Sequence, residues 1–443
     1  MRLTDCVRWV LFALCQGLIF CGIAFCDFSL ARASPSSQDV WFQPESATDV
    51  RTLMSVVRDR AASLQADHLE LDIRRFDAQQ SRLFDNPVLD AAVGTIPIGP
   101  SNPPDLPTPL RSIPNYSVGL GMHLDLARRS ARIERADLAI QASAAQLAFA
   151  IQGQAIRLLR AVGDLAVATL RLAADQRLTQ QARQSLYLAK ERVKTGFGPP
   201  LDSDRAEIEL LRLEQQVSAD QGDILSAQAT CAELVGMRCG AFADESAARL
   251  LLSRWIVNAE EQPLKTEERA DLKALLLEQS VASAEARLSQ AVRIPDPTLR
   301  VGYTYDSFVV SGNQQHSMNV SMTLPLVLAD RGQVAAQAAN ARVLRYREQH
   351  RLTIRALEAR AESLRSALAS QRQRLRVLQE QVLPRAQSIL RDVRRAFEAR
   401  AVPLTDMNQA QRALDELQLQ EASALSDIFR LSVDLVELRG RHD

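Results

Sequence analysis

Two apolar seams near the C-terminus restrict what this chain can fold into more than any other feature. Ile354, Leu357, Ala361, Leu364 and Leu368 alternate steps of three and four residues, Leu375, Leu378 and Val382 resume the spacing, and Gln371 fills the polar slot between them. A second seam returns through Ala410, Ala413, Leu417, Ala424, Ile428, Leu431, Leu435 and Leu438, with Glu421 as its polar exception. A stripe about two residues wide per heptad fits a coiled-coil partner rather than the broad face of a globular helix. Both helices therefore require partner helices, and the short stretch from Arg400 to Asp406 folds one back on the other.

Shifting the second seam by 204 residues lands on Ala206, Leu213, Ile224, Ala227, Cys231 and Leu234. The same shift sets Asp406 on Asp202, Gln411 on Glu207 and Gly440 on Gly236. Agreement at one register over this length predicts an internal duplication.

Aromatic residues make up only 5% of the 443, too few for thick globular cores, while Ala, Leu, Arg, Gln and Glu runs with sparse Gly and Pro suit extended helices. The formal charge is zero and no basic stripe carries interleaved aromatics, which excludes a nucleic-acid binder. At the N-terminus, Arg2 and Arg8 precede an apolar run from Trp9 to Phe25 and then Ala31-Arg32-Ala33, the pattern of a secretory signal over residues 1–33. An uncleaved signal anchor is the alternative, and lipidation at Cys21 or Cys26 a further one, although each follows a Phe where a small residue is usual. Removing the leader leaves Cys231 and Cys239. They could bridge a small loop in an oxidising compartment, but Cys231 also fills a seam slot, so a buried apolar thiol is the expectation.

The mature chain divides into a first repeat over 34–240, a linker or equatorial segment over 241–268 and a second repeat over 269–443. The segment from Ser34 to about Val50 reads as extended, and one helix is expected from Arg51 to Leu83, stopped at Asp85-Asn86-Pro87. Strands of alternating polarity are expected near 88–96 and 116–126, a continuous helix from Arg128 to the turn at Gly196-Phe197-Gly198-Pro199-Pro200, and further strands near 298–310 and 316–327. Each repeat thus offers one hairpin whose strands, roughly ten residues long, match a β-barrel crossing of an outer membrane. Open edges are not tolerated in hydrocarbon and the smallest such barrels have about eight strands, so four strands per chain predict an oligomer in which each copy lends a stave.

These residues resemble the TolC-like outer-membrane efflux family over nearly all of the mature chain. The likeness rests on Asn86-Pro87-x-Leu89 and Asp296-Pro297-x-Leu299 entering the hairpins, Leu324-Pro325-Leu326 leaving the second, Leu383-Pro384-Arg385-Ala386, Phe397-Glu398-Ala399 and Asp406-x-x-x-Ala410-Gln411. The first copy echoes it with Arg192-Val193-Lys194-Thr195-Gly196 and Asp202-x-x-Arg205-Ala206-Glu207. The resemblance implies a mainly α chain with a transmembrane β part. It would form a homotrimer whose twelve-stranded β-barrel in outer-membrane lipid continues into an α-helical coiled-coil tunnel in the periplasm. It implies a passive exit duct for metal cations or small toxic compounds, with a periplasmic adaptor and an inner-membrane pump of the resistance-nodulation-division type as partners. Arg205-Ala206-Glu207 and the short loops are similar to the heavy-metal branch.

The turns farthest from the strands, marked by Gly196, Gly198, Pro200, Arg400 and Pro403, are then the adaptor-docking tips. Asp202, Asp406 and Gln409 are candidates for a pore constriction, although a first-turn aspartate can equally cap its helix. The chain departs from the family where Arg400 stands for a tip glycine, Ala270 for a proline and Gln409 for a second ring aspartate. The five histidines are scattered without metal-ligand spacing, and there is no phosphate loop, nucleophile elbow or dinucleotide fingerprint, so neither enzyme nor cofactor is expected. A type I polypeptide-secretion duct shares the architecture, and a secreted coiled-coil stalk is the rival without membrane passage.

Overall fold

The computed structural model describes residues 41–96, 98, 113–125, 127–258, 268–307, 309, 314–399 and 401–440. The leader expected over 1–33 and Arg400 lie outside the described residues. The helices are α1 Val50–Arg60, α2 Gln65–Arg82, α3 Arg128–Lys194, α4 Pro200–Val235, α5 Glu245–Asn258, α6 Ala270–Ala291, α7 Gln333–Val377, α8 Leu383–Glu398 and α9 Leu404–Arg439. The strands are β1 Val88–Gly94, β2 Asn115–His123, β3 Thr298–Asp306 and β4 His316–Thr323.

Helix α3, 67 residues long, runs about 100 Å at about 1.5 Å per residue. Its middle forms the spine of the main core, where Leu158, Leu159, Val162 and Leu165 pack with residues of α1, α5 and α9. Gly163 is the close approach that lets α9 in: a Cβ there would sit 1.9 Å from the Phe429 ring. The seams meet as their spacing requires. Leu357 and Ala361 pack with Leu272 and Leu438, and Leu368 packs with Ile428 and Leu435.

Several expectations are corrected. The single helix from Arg51 to Leu83 is broken at Ala61 (ψ 113°), between α1 and a 3-10 turn that leads into α2. Burial decides this, since the break lets Leu53, Val57, Ala61 and Leu64 all enter the main core. It also brings the Arg60 carbonyl against Gly236, where a Cβ would lie 2.4 Å from the oxygen.

The stretch read as a linker carries α5, whose Ala248, Leu251, Leu252 and Trp255 are core residues; the Trp255 indole N–H donates to the Ala47 carbonyl at 2.9 Å. Cys231 and Cys239 are not free thiols but a disulfide, with Cα atoms 5.9 Å apart. After α4 ends at Gly236 (φ 75°) the chain turns back to pair with Phe42, and this returns Cys239 over Cys231. Finally, the α7 seam passes through a π turn over Leu378–Val382. Pro384 explains it: proline donates no N–H and its ring collides with the carbonyl four residues back, so the ladder widens there.

The four strands form one antiparallel sheet in the order β1-β2-β3-β4, with β2 and β3 joining the two hairpins. They end at 94, 123, 306 and 323 rather than near 96, 126, 310 and 327. Pro325, with no N–H for a ladder, accounts for the end of β4. The last helix is closed by Arg269, which donates to the Glu437 and Leu438 carbonyls, both at 2.9 Å, and pairs with Asp271.

Candidate functional site

The two faces of the sheet differ chemically because residue polarity alternates along every strand. Leu89, Leu120, Val301 and Val320 stand opposite one another across all four strands, as do Ala91, Val118, Tyr303 and Met318. This apolar face is open: Leu89 is 70% exposed and Met318 75%. On the other face Asp90, Gly119, Gly302 and Asn319 share a row, and Ser117, Thr304 and Ser317 another. There the Arg300 guanidinium lies across Gly119 to reach Asp90, its Nε donating at 2.8 Å; a Cβ on Gly119 would collide with it. His316 is exposed, with its Nδ1 2.6 Å from the Tyr303 hydroxyl. No described helix is long and apolar enough to cross a membrane, which says nothing of a β-barrel.

The helical tips are built from residues that stop one helix and start the next. At the first, α3 closes with Phe197 N–H donating to the Arg192 carbonyl at 2.9 Å, around Gly196 in the left-handed region (φ 76°) where a side chain would be strained. Gly198 packs its open side against Arg192, and Pro200 takes the first position of α4, where its missing N–H costs nothing. At the second tip Ala401 N–H donates to the Ala396 carbonyl at 2.8 Å, the same closure, and Pro403 precedes α9 as Pro199 precedes α4. Ala189, Ala206, Phe397 and Met407 join the two tips in a small apolar plug, with the Arg192 guanidinium 4.4 Å from the Phe397 ring centre.

Asp202 and Asp406 sit at matching places in the first turns of α4 and α9, Asp202 half-buried and Asp406 exposed. Neither helix has a side-chain cap bond at its proline N-cap. The contact shown for Asp406 is with the Thr405 hydroxyl, at 3.4 Å. What remains for both aspartates is the favourable field of a helix N-terminus. Gln409 is exposed one turn farther along α9.

A second cluster lies deeper along the helices and was missed in sequence. Asp175 of α3 and Asp220 of α4 are each 3% exposed, and Asp415 of α9 is half-buried beside them. Burial first, then the hydrogen bond and charge of Asp220, pushes Asp175 up to about 7. Burial and the charge of Glu209 push Asp415 up to about 6, against the hydrogen bond from Gln411. One signal could have found the site: Asp220 interrupts the seven-residue series Ala206, Leu213, Ala227, Leu234. Among the described residues no group of three or more His, Cys, Asp or Glu could hold a metal ion.

A family model described as outer membrane efflux protein matches residues 264–441. No curated protein matches the chain. Among solved structures it is similar to CusC, whose crystal structures are described by folding and transmembrane channel formation, with 15% identity over 88% of this chain and 92% of that one and a TM-score of 0.71. It is similar also to the outer membrane protein VceC of Vibrio cholerae, at 18% identity over 89% and 97% with a TM-score of 0.67. The open-state MtrE outer membrane channel of Neisseria gonorrhoeae gives 15% identity over 91% and 93% with a TM-score of 0.65. At these identities the structural likenesses show the fold.

Proposed function

We propose that the chain, whose residues 264–441 match the outer membrane efflux protein family, is a TolC-like outer-membrane channel with a periplasmic helical tunnel, the passive exit duct of a tripartite pump. Its cargo is metal cations or small toxic compounds, delivered by an inner-membrane transporter of the resistance-nodulation-division type through a periplasmic adaptor.

The observation that carries this reading is the sheet. Its apolar face is open across all four strands, while the helical seams pack helix on helix. Apolar residues on an uncovered face suit lipid, and a secreted stalk would have no use for them. Four strands cannot close, but three copies supply twelve, with β4 of one subunit pairing β1 of the next so that no edge meets hydrocarbon. The polar face, with its Asp90–Arg300 pair, then lines the lumen.

The internal duplication belongs to the same reading, supported by α4 and α9, each 36 residues and beginning and ending 204 positions apart. Repeats over 34–240 and 269–443 flank the segment 241–268, after a cleaved leader over 1–33. The tips at Gly196, Gly198, Pro200, Arg400 and Pro403 face the adaptor, and Asp202, Asp406 and Gln409 line the constriction. Arg205-Ala206-Glu207 supports the metal-exporting branch. Mass measurement of the detergent-extracted protein tests the architecture: a trimer is expected, and a stable, fully folded monomer or dimer would defeat it.

A further inference from the structure

Asp175 and Asp220, each 3% exposed, stand against each other where α3 packs antiparallel on α4, in the register that the Arg183–Glu214 and Lys190–Glu207 pairs set. Two ionised carboxylates are acceptors only, so a pair buried side by side is favourable only if one proton is held between them. The surroundings do not supply a substitute. Asp220 Oδ1 accepts from Gln216 Nε2 at 3.2 Å, but Asp220 Oδ2 is buried and receives no N–H or hydroxyl.

The charges that face the pair are engaged with other groups. From α4, Arg212 donates to Glu209 at 2.7 Å; from α9, Arg412 donates to the same Glu209 at 2.8 Å. Asp415 of α9 adds a third carboxyl, which accepts from Gln411 at 2.8 Å, and Gln411 also donates to Gln181 of α3. On α3 itself Arg183 pairs with Glu214 at 2.8 Å and Arg177 pairs with Glu245, the charge that α5 presents. Arg212 is the cation whose field reaches Asp175, and it is shared with Glu209 and Asp415.

We propose that Asp175 and Asp220 form a shared-proton latch between α3 and α4, beside Asp415 of α9, which is closed while the proton is held and loosens this section of the helical wall when it is lost. The direction follows from linkage. An acid whose value in the folded chain is raised contributes stability fully below its ordinary value and loses it as pH rises through the raised one. For Asp175 that window runs from 3.8 to about 7, and for Asp415 from 3.8 to about 6. The latch is therefore closed in an acidified periplasm and weakest above neutrality, whichever cargo the duct carries. A metal ion is not the occupant this geometry suits, since no described cluster has the ligands for one.

Hydrogen–deuterium exchange on the full-length protein in detergent tests the latch, read in peptides covering Asp175 and Asp220 at about pH 5.5 and about pH 8 and corrected for intrinsic exchange. The wild type should open about tenfold more often at the higher pH in these peptides, while peptides around Phe429 stay unchanged. Asp220→Asn supplies an N–H donor to Asp175 at any pH, so its exchange should keep only the small pH response that Asp415 contributes below about 6. Should that variant fail to fold, infrared spectroscopy of the wild type still decides, through a protonated-carboxyl stretch present at the lower pH and lost at the higher. A wild type whose exchange ignores pH, an Asp220→Asn protein that keeps the full pH response, or the absence of that stretch at the lower pH would each overturn the proposal.

Discussion

Helices α4 and α9 have the same length and matching ends, but α9 sinks Phe429, Val433 and Val436 into the main core whereas α4 reaches it mainly through Cys231 and Val235 near its C-terminus. They are also fastened differently. The end of α9 is held by Arg269, buried and bonded to its last carbonyls, while the end of α4 is held by the Cys231–Cys239 disulfide and the backbone pairing at Phe42. A common register therefore fixes how long two helices are and where they turn, but not what holds them. The helix beside Gly163 is anchored by packing, and the helix with less of its surface in the core by a covalent staple.

The sharpest way to break this contrast is Phe429→Ala. The side chain is 1% exposed and fills the space left by Gly163, so its removal leaves a cavity that rigid neighbours cannot close. A loss of about 3–5 kcal/mol is expected, read as a large fall in melting temperature of the detergent-solubilised protein. A variant that melts with the wild type would mean that α9 is not held by packing.

The staple gives a smaller effect. Replacing both Cys231 and Cys239 by Ser should cost about 2–3 kcal/mol, since the bridge closes a short loop of eight residues' separation and Ser adds buried hydroxyls. Reductant should lower the melting of the wild type toward that of the double variant and leave the variant unmoved. Equal melting of oxidised and reduced wild type would assign the hold on α4 to the pairing at Phe42 alone.

Much of this architecture was legible because it is periodic. The seams at Leu357, Ala361, Leu368, Ile428 and Leu435 pack helix on helix, and alternation along Val118, Leu120 and Met122 marked one face of a sheet. What escaped was decided by contacts between distant segments. The break at Ala61 answers to Gly236, the π turn to a proline ring meeting its own helix, and the disulfide to a backbone pairing with Phe42 that no local pattern announces. Phe429 lies off the seam of α9, so a reading that followed one stripe overlooked the second, core-facing one. Asp220 was passed over because it occupies an apolar series, although a carboxylate in such a slot is the signal of a buried acid.

The smallest effect separates the tips. Asp202 and Asp406 occupy the same position after their proline N-caps, so the helix dipole acts on both alike, and the difference between them is exposure. Asp202 is half-buried, whereas the exposed Asp406 is free to act on solution. In a threefold assembly each Asp406 repeats as a ring of like charges, which attracts cations and stays closed only where neighbouring charges offset its repulsion. Arg400, six residues before it, is the cation the second tip carries at the register of Gly196. Single-channel recordings in planar bilayers should therefore show lower cation selectivity for Asp406→Asn and altered resting conductance for Arg400→Gly, with melting unchanged in the first. Asp202→Asn should change selectivity less than Asp406→Asn. If Asp406→Asn and Arg400→Gly both conduct as the wild type does, Asp406 acts only through the helix dipole and the constriction lies farther along α9.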